Sequence, residues 1–117
     1  MDVTKIAWDE IPEEDFGNGI YRKVLHGTNI TLAYIRLKPG SVVKTHNHPN
    51  EQVTSVLRGG IKVEIDGEEF EVKQGETIVI PPDLPHRVTS VEASLVLDAF
   101  SPPRNDWKEG VDAYLRS

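Results

Sequence analysis

Gly40-Ser41-Val42-Val43-Lys44-Thr45-His46-Asn47-His48-Pro49-Asn50-Glu51-Gln52-Val53-Thr54-Ser55-Val56-Leu57-Arg58-Gly59 is the stretch that decides how this chain folds. It carries two of the four histidines, His46 and His48, set i, i+2. Along a strand that spacing sends both rings off one face of a sheet. A third histidine ends a separate segment, Pro81-Pro82-Asp83-Leu84-Pro85-His86. Two imidazoles from one face and a third from a distant strand form a preorganised nitrogen site for a divalent transition metal.

Outward from that stretch the chain reads as short β-runs cut by turn residues. Expected strands cover 21–25, 30–37, 42–46, 52–58, 61–65, 69–72, 77–80, 87–91 and 94–100, bounded by Gly, Pro, Asn or Asp. Ile61-Lys62-Val63-Glu64-Ile65 alternates apolar and polar residues, and Glu69-Phe70-Glu71-Val72 alternates back. Between them Asp66-Gly67 supplies a two-residue turn suited to φ > 0, so the segment predicts a hairpin. Many short, evenly spaced strands with period-two patterning predict an all-β sandwich or small barrel rather than an α/β fold. Residues 1–18 read as an acidic, solvated arm, with Asp9, Glu10, Glu13, Glu14 and Asp15 close together. After Pro102-Pro103 the tail predicts a short helix over 106–115, weakened by Gly110.

At 117 residues the chain fits one domain able to bury a core without staples. It has no cysteine, which excludes a thiolate nucleophile and a Cys-type zinc site and gives no argument for an oxidising compartment. Met1-Asp2-Val3-Thr4-Lys5 has neither the basic nor the apolar region of a signal peptide. No apolar run reaches bilayer-spanning length. Together with a net charge of −6, these features predict a cytoplasmic chain that binds neither nucleic acid nor membrane.

The spacing Gly40, five residues, His46-Asn47-His48, three residues, Gln52, six residues, Gly59 resembles the first motif of the cupins. In that motif Glu usually stands where Gln52 does. Gly75, Pro81 and His86 are in register with the second cupin motif, while Asp83 and Ser90 replace its Gly and Asn. The resemblance implies an all-β cupin double-stranded β-helix (jelly-roll) barrel over about 19–100, within a single domain 1–117 with arm 1–18 and tail 101–117. It also implies His46, His48, Gln52 and His86 as ligands of a divalent transition metal, and a homodimer. Zn, Ni, Fe, Co and Cu suit imidazole, and Mn is compatible, so the residues leave the ion open. Glu51 is the rival fourth ligand, but Gln52 shares the even parity of both histidines. An all-neutral ligand set leaves the ion's double charge uncompensated, which favours an anionic substrate oxygen.

Asp98-Ala99-Phe100-Ser101-Pro102-Pro103-Arg104 resembles the closing segment of the KdgF-type pectin-degradation cupins. Those linearise unsaturated uronate sugars, and the resemblance implies Asp98, Phe100 and Arg104 as the catalytic set and an anionic sugar acid as the small-molecule partner. The residues agree in type. On 94–100, Ser94, Val96, Asp98 and Phe100 share a face, and a carboxylate in an apolar strand needs a partner or a task. Arg104 can clamp a carboxylate with two parallel hydrogen bonds, or pair with Asp98, or lie on the surface. Phe100 is a core residue or a sugar platform, and Trp107 anchors the tail or closes the pocket mouth. Tyr34 and Arg36 share a parity and are candidates for the same cavity, whereas His26 reads as a surface or turn residue. Two other functions fit the same barrel: a metal-dependent dioxygenase, in which Asp98 and Arg104 have no evident task, and a non-catalytic sugar- or metal-binding module.

Overall fold

A computed structural model describes residues 2–116. Its strands are β1 (Glu14–Asp15), β2 (Ile20–His26), β3 (Thr31–Leu37), β4 (Val42–His46), β5 (Glu51–Arg58), β6 (Gly60–Ile65), β7 (Glu68–Lys73), β8 (Thr77–Ile80), β9 (His86–Ser90) and β10 (Ser94–Ser101). They form a six-stranded sheet, order β1-β2-β3-β10-β5-β8, facing a four-stranded sheet, order β4-β9-β6-β7. Every pairing is antiparallel, which is the jelly-roll architecture expected of the chain.

Period-two patterning places the core. On β3, Thr31, Ala33, Ile35 and Leu37 are buried, and on β10 Ser94, Val96, Asp98 and Phe100 are buried. With Ile61 and Val63 of β6 and Ile80 of β8 they fill the space between the sheets. The 61–72 hairpin forms as read, with Asp66 at φ 51° and Gly67 at φ 79° as the two turn residues between the paired Ile65 and Glu68.

Gly59, which closes the motif that fixed the fold, joins β5 to β6 at φ +83°. A Cβ there would overlap the Ala93 carbonyl oxygen and Ser94 Oγ, and would lie 2.8 Å from Ser94 Cα. Gly40 has a similar φ of +77° but nothing within 4 Å of an added Cβ. Gly40→Ala therefore costs only the left-handed backbone, about 1–2 kcal/mol. Gly59→Ala adds overpacking, for a total of about 2–5 kcal/mol. Urea denaturation of the two variants measures the difference directly.

Three readings are corrected. Tyr34 and Arg36 point away from the barrel interior, because the odd residues of β3 face inward; Tyr34 meets Trp8 edge-on, and Arg36 pairs with Glu13 at 2.7 Å. The acidic arm is not merely solvated. Glu14 and Asp15 add a short strand to β2, Glu14 binds Arg22 at 2.6 Å, and Phe16 is buried beneath the Arg22 guanidinium. The tail is not one helix: α1 (Asn105–Lys108) stops before Gly110, whose φ is +79°, and a separate 3₁₀ turn follows at Ala113–Leu115. His26 ends β2 half-buried, its Nδ1 2.8 Å from Thr31 Oγ1.

Candidate metal centre

The three histidines that are far apart in sequence meet at one end of the barrel. His46, the last residue of β4, stands opposite His86, the first residue of β9. His48 is not on the strand as its spacing suggested; β4 has already ended, and the ring is carried by the loop before β5. That loop is tied down where it matters. The Asp83 N–H donates to the His48 carbonyl at 2.9 Å, and Asn50 Nδ2 donates to the carbonyls of Pro102 and Pro103. Asp83 sits at φ +67°, a conformation its short polar side chain tolerates, so it does the work of the glycine usual in that motif. Ser90, in the place of the motif's Asn, is buried and ties β9 to the turn before β4, donating to the Lys38 carbonyl and accepting from Ser41 N–H.

Ring centroids lie 4.3 Å apart for His46 and His86, 5.1 Å for His48 and His86, and 5.6 Å for His46 and His48. One ligand-capable nitrogen from each ring falls within 4.8 Å of the others. A carbonyl only accepts, so His46 and His86 carry their protons on Nδ1, donating to the carbonyls of Lys44 and Leu84 at 2.8 Å each. Nε2 of both rings is left with a lone pair, the arrangement in which an outer hydrogen bond orients a metal-binding imidazole. Nε2 of His86 and Nδ1 of His48 are buried without a partner. Unpaired nitrogens of this kind are costly unless something binds them. Burial also holds the rings neutral: it pushes His46 down to about 3 and His48 down to about 4, the latter helped by the positive charge of Arg104, and it lowers His86 as well. Neutral imidazole is the ligating form, so the donor set fits a divalent transition metal.

Gln52 completes the cluster from the opposite sheet. It is buried while Glu51 is exposed, which leaves Gln52 alone facing the histidines. Its amide is oriented at both ends: Nε2 donates to Thr54 Oγ1 at 2.9 Å, and Oε1 accepts from His48 Nε2 at 3.0 Å. Thr54 in turn donates to Asp98 Oδ1 at 2.6 Å. A hydrogen-bonded line therefore runs from His48 through Gln52 and Thr54 to Asp98. The ladder explains it, because Asp98 is paired with Thr54 and Phe100 with Gln52 across β10 and β5. Burial raises Asp98 from its ordinary value to about 6, against the pull of the Thr54 hydrogen bond and the Arg104 charge. Thr54 escaped the sequence reading although it shares the parity of Gln52, which was the signal.

Arg104 is buried, with its backbone N–H fixed on Thr31 Oγ1 at 2.9 Å. It does not pair with Asp98. Its Nε and Nη2 bind Asp106 at 2.9 and 2.7 Å, and its guanidinium lies 4.7 Å from the Phe100 ring centre and 4.2 Å from that of Trp107. Trp107 is itself sandwiched, with Arg22 4.4 Å from its ring centre. It anchors the tail and also lines the cavity, as do Asp98, Phe100 and Arg104. The residue missed altogether is Tyr114, whose ring stacks on His46 at 4.1 Å and 17°. The signal for it was aromatic surface, Trp107 and Tyr114, concentrated in an otherwise polar tail.

Residues 33–100 match the cupin domain family. The chain belongs to the cupin family. Among proteins similar to this cupin, the pectin degradation protein KdgF of Dickeya dadantii (strain 3937) is 31% identical over 102 residues, covering 85% of this chain and 93% of that protein. The structure of KdgF from Halomonas sp. superposes with a TM-score of 0.83 at 29% identity, covering 91% of this chain and 99% of that one. An RmlC-like cupin from Shewanella frigidimarina NCIMB 400 gives the same TM-score of 0.83 at 25% identity, covering 91% of this chain and 96% of that one. No helix among the described residues is long and apolar enough to cross a membrane.

Proposed function

We propose that this cupin opens the ring of a 4,5-unsaturated uronate derived from pectin or alginate, giving the acyclic keto form. The observation that carries the reading is that Asp98, Phe100 and Arg104 line the same cavity as His46 and His86. Similarity to KdgF over most of the chain supports it.

The reaction is an isomerisation. The bond between ring oxygen and anomeric carbon breaks, the anomeric hydroxyl gives up its proton as it becomes an aldehyde, and the enol-ether carbon gains one as a ketone forms. Asp98 is the group for that transfer: buried, held by Thr54 and pushed up to about 6, it exchanges a proton near neutral pH. Arg104 meets the carboxylate; Asp106 holds its Nε and Nη2, and Nη1 has no hydrogen bond within the described residues. Phe100, fixed between the His48 and Trp107 rings at 5.6 and 5.0 Å, offers an aromatic wall for the sugar. A divalent ion held by His46, His48, His86 and Gln52 would supply Lewis acidity and charge for an anionic oxygen.

Purified, metal-loaded protein incubated with the product of a pectate or alginate lyase tests the proposal. The unsaturated chromophore is expected to decay faster than by spontaneous opening. Equal rates with and without protein would retire it.

A further inference from the structure

The cavity beneath the histidines has a volume of only about 40 Å³, whereas pockets for small organic molecules span about 300–1,000 Å³. That is space on the scale of single water molecules, not of a six-carbon sugar acid. The tail is what fills the difference: Trp107, Tyr114 and Leu115 form part of the wall. Tyr114 is the piece set over the centre. Its ring lies flat on His46, and its hydroxyl accepts from Arg104 Nη2 at 2.7 Å and from Trp107 Nε1 at 2.8 Å. A ring against a flat face and an oxygen on the guanidinium are the contacts a cyclic acid would make in the same place.

We propose that Tyr114 is the gate of this site, a stand-in that must leave the His46 ring and the Arg104 guanidinium before any ligand larger than a few waters can enter. The moving part is the segment 111–116, and its joint is Gly110, in the left-handed conformation between α1 and the last 3₁₀ turn. Val111, just after the joint, is exposed. Besides Tyr114, the segment is held by the Val111 N–H, which donates to the Asp106 carbonyl at 2.7 Å, and by the Arg116 guanidinium, 4.6 Å from the Phe16 ring centre. Asp112 binds Arg22 at 3.1 Å, the Leu115 carbonyl accepts from Asn18 Nδ2 at 2.7 Å, and the Leu115 side chain is buried. These ties set the free energy at which the segment opens. While the docked state prevails, apparent affinity for ligand is reduced by the fraction that is open. The identity of the ligand as a uronate rests on the function proposed above; the gate itself does not.

The two claims separate in one experiment. In a Trp8→Phe background Trp107 is the sole tryptophan, and acrylamide quenching reads its exposure. Association of D-galacturonate, a saturated sugar acid, is followed by the same fluorescence in stopped flow. Asp112→Asn reduces the ion pair with Arg22 to a neutral hydrogen bond without touching the cavity and is expected to raise the quenching constant at least about threefold. It and Tyr114→Ala are expected to speed association about tenfold, the signature of a larger open fraction. Tyr114→Phe removes only the hydroxyl and shifts both readouts the same way, which keeps the test intact should Asp112→Asn not fold. Unchanged quenching in Asp112→Asn and Tyr114→Phe overturns the gate. So does slower or weaker galacturonate binding in Tyr114→Ala, which would make the tyrosine a ligand contact. Raised quenching with no galacturonate binding in any variant and no acceleration of chromophore decay upholds the gate and removes the uronate reading.

Discussion

Replacing Asp98 by Asn is expected to lower the rate of the proposed uronate opening by about 10²–10⁴-fold, the usual contribution of a positioned proton-transfer group. The change is nearly isosteric, and the amide oxygen still accepts from Thr54 Oγ1, so the geometry around Gln52 survives while the exchangeable proton is lost. The same substitution has an opposite effect on stability. Asp98 is buried, and its value rises from 3.8 to about 6 because burial penalises the carboxylate. An acid whose value is raised in the folded state binds its proton more tightly there than in the unfolded chain. The penalty is therefore fully present above about pH 6 and fades as pH falls toward 4. In metal-free protein, Asp98→Asn is expected to melt higher than wild type at pH 7, with the gap closing by pH 4. A variant less active but more stable marks a residue kept for function; a parallel loss of both would mark Asp98 as structural.

What the sequence made legible follows from which signals are local. The barrel was readable because strand parity is a local property: the burial of Gln52 over Glu51, and of Asp98 and Phe100 over Ala99, follows from alternation along β5 and β10. Parity alone, however, does not say which set of residues faces inward. On β3 the choice fell on Tyr34 and Arg36, while the core took Ala33, Ile35 and Leu37. The histidine cluster was legible through fixed spacing even though His48 lies beyond the 42–46 strand, in the loop before β5. The roof of the site was not. Tyr114 reaches His46 only because Gly110 turns the chain and Arg22 captures Asp112, contacts made across 68 and 90 residues of sequence. Arg104 illustrates the same limit, since its pairing with Asp106 rather than Asp98 depends on how α1 begins. Pairings of a buried guanidinium such as this are set by tertiary geometry, which neither periodicity nor composition encodes.

Removing one imidazole is the other large effect. His86→Ala is expected to lower metal affinity by more than about 100-fold, since even outer partners of a metal-bound histidine are worth 10–100-fold. His86 suits the test because its role is so narrowly defined: Nδ1 is engaged by the Leu84 carbonyl, and Nε2 is buried with nothing to bind. Metal analysis after expression in metal-replete medium gives one readout, with near-stoichiometric metal in wild type and little in the variant. Melting temperature gives a second. An ion that binds only the folded state stabilises it by RT ln(1 + [M]/Kd), so wild type is expected to melt higher with each increment of zinc or nickel while His86→Ala stays flat. His26→Ala serves as the control, because that ring belongs to the end of β2 and bonds Thr31, outside the cluster. The metal dependence should also be steepest near pH 5–8 for wild type, not at acid pH: the burial that lowers His46 to about 3 and His48 to about 4 leaves their lone pairs free throughout that range. A wild-type protein that remains substoichiometric under these conditions, with a melting temperature indifferent to added metal, would remove the ion and the chemistry assigned to it, leaving the hydrogen-bonded line from His48 to Asp98 as a structural network of the barrel.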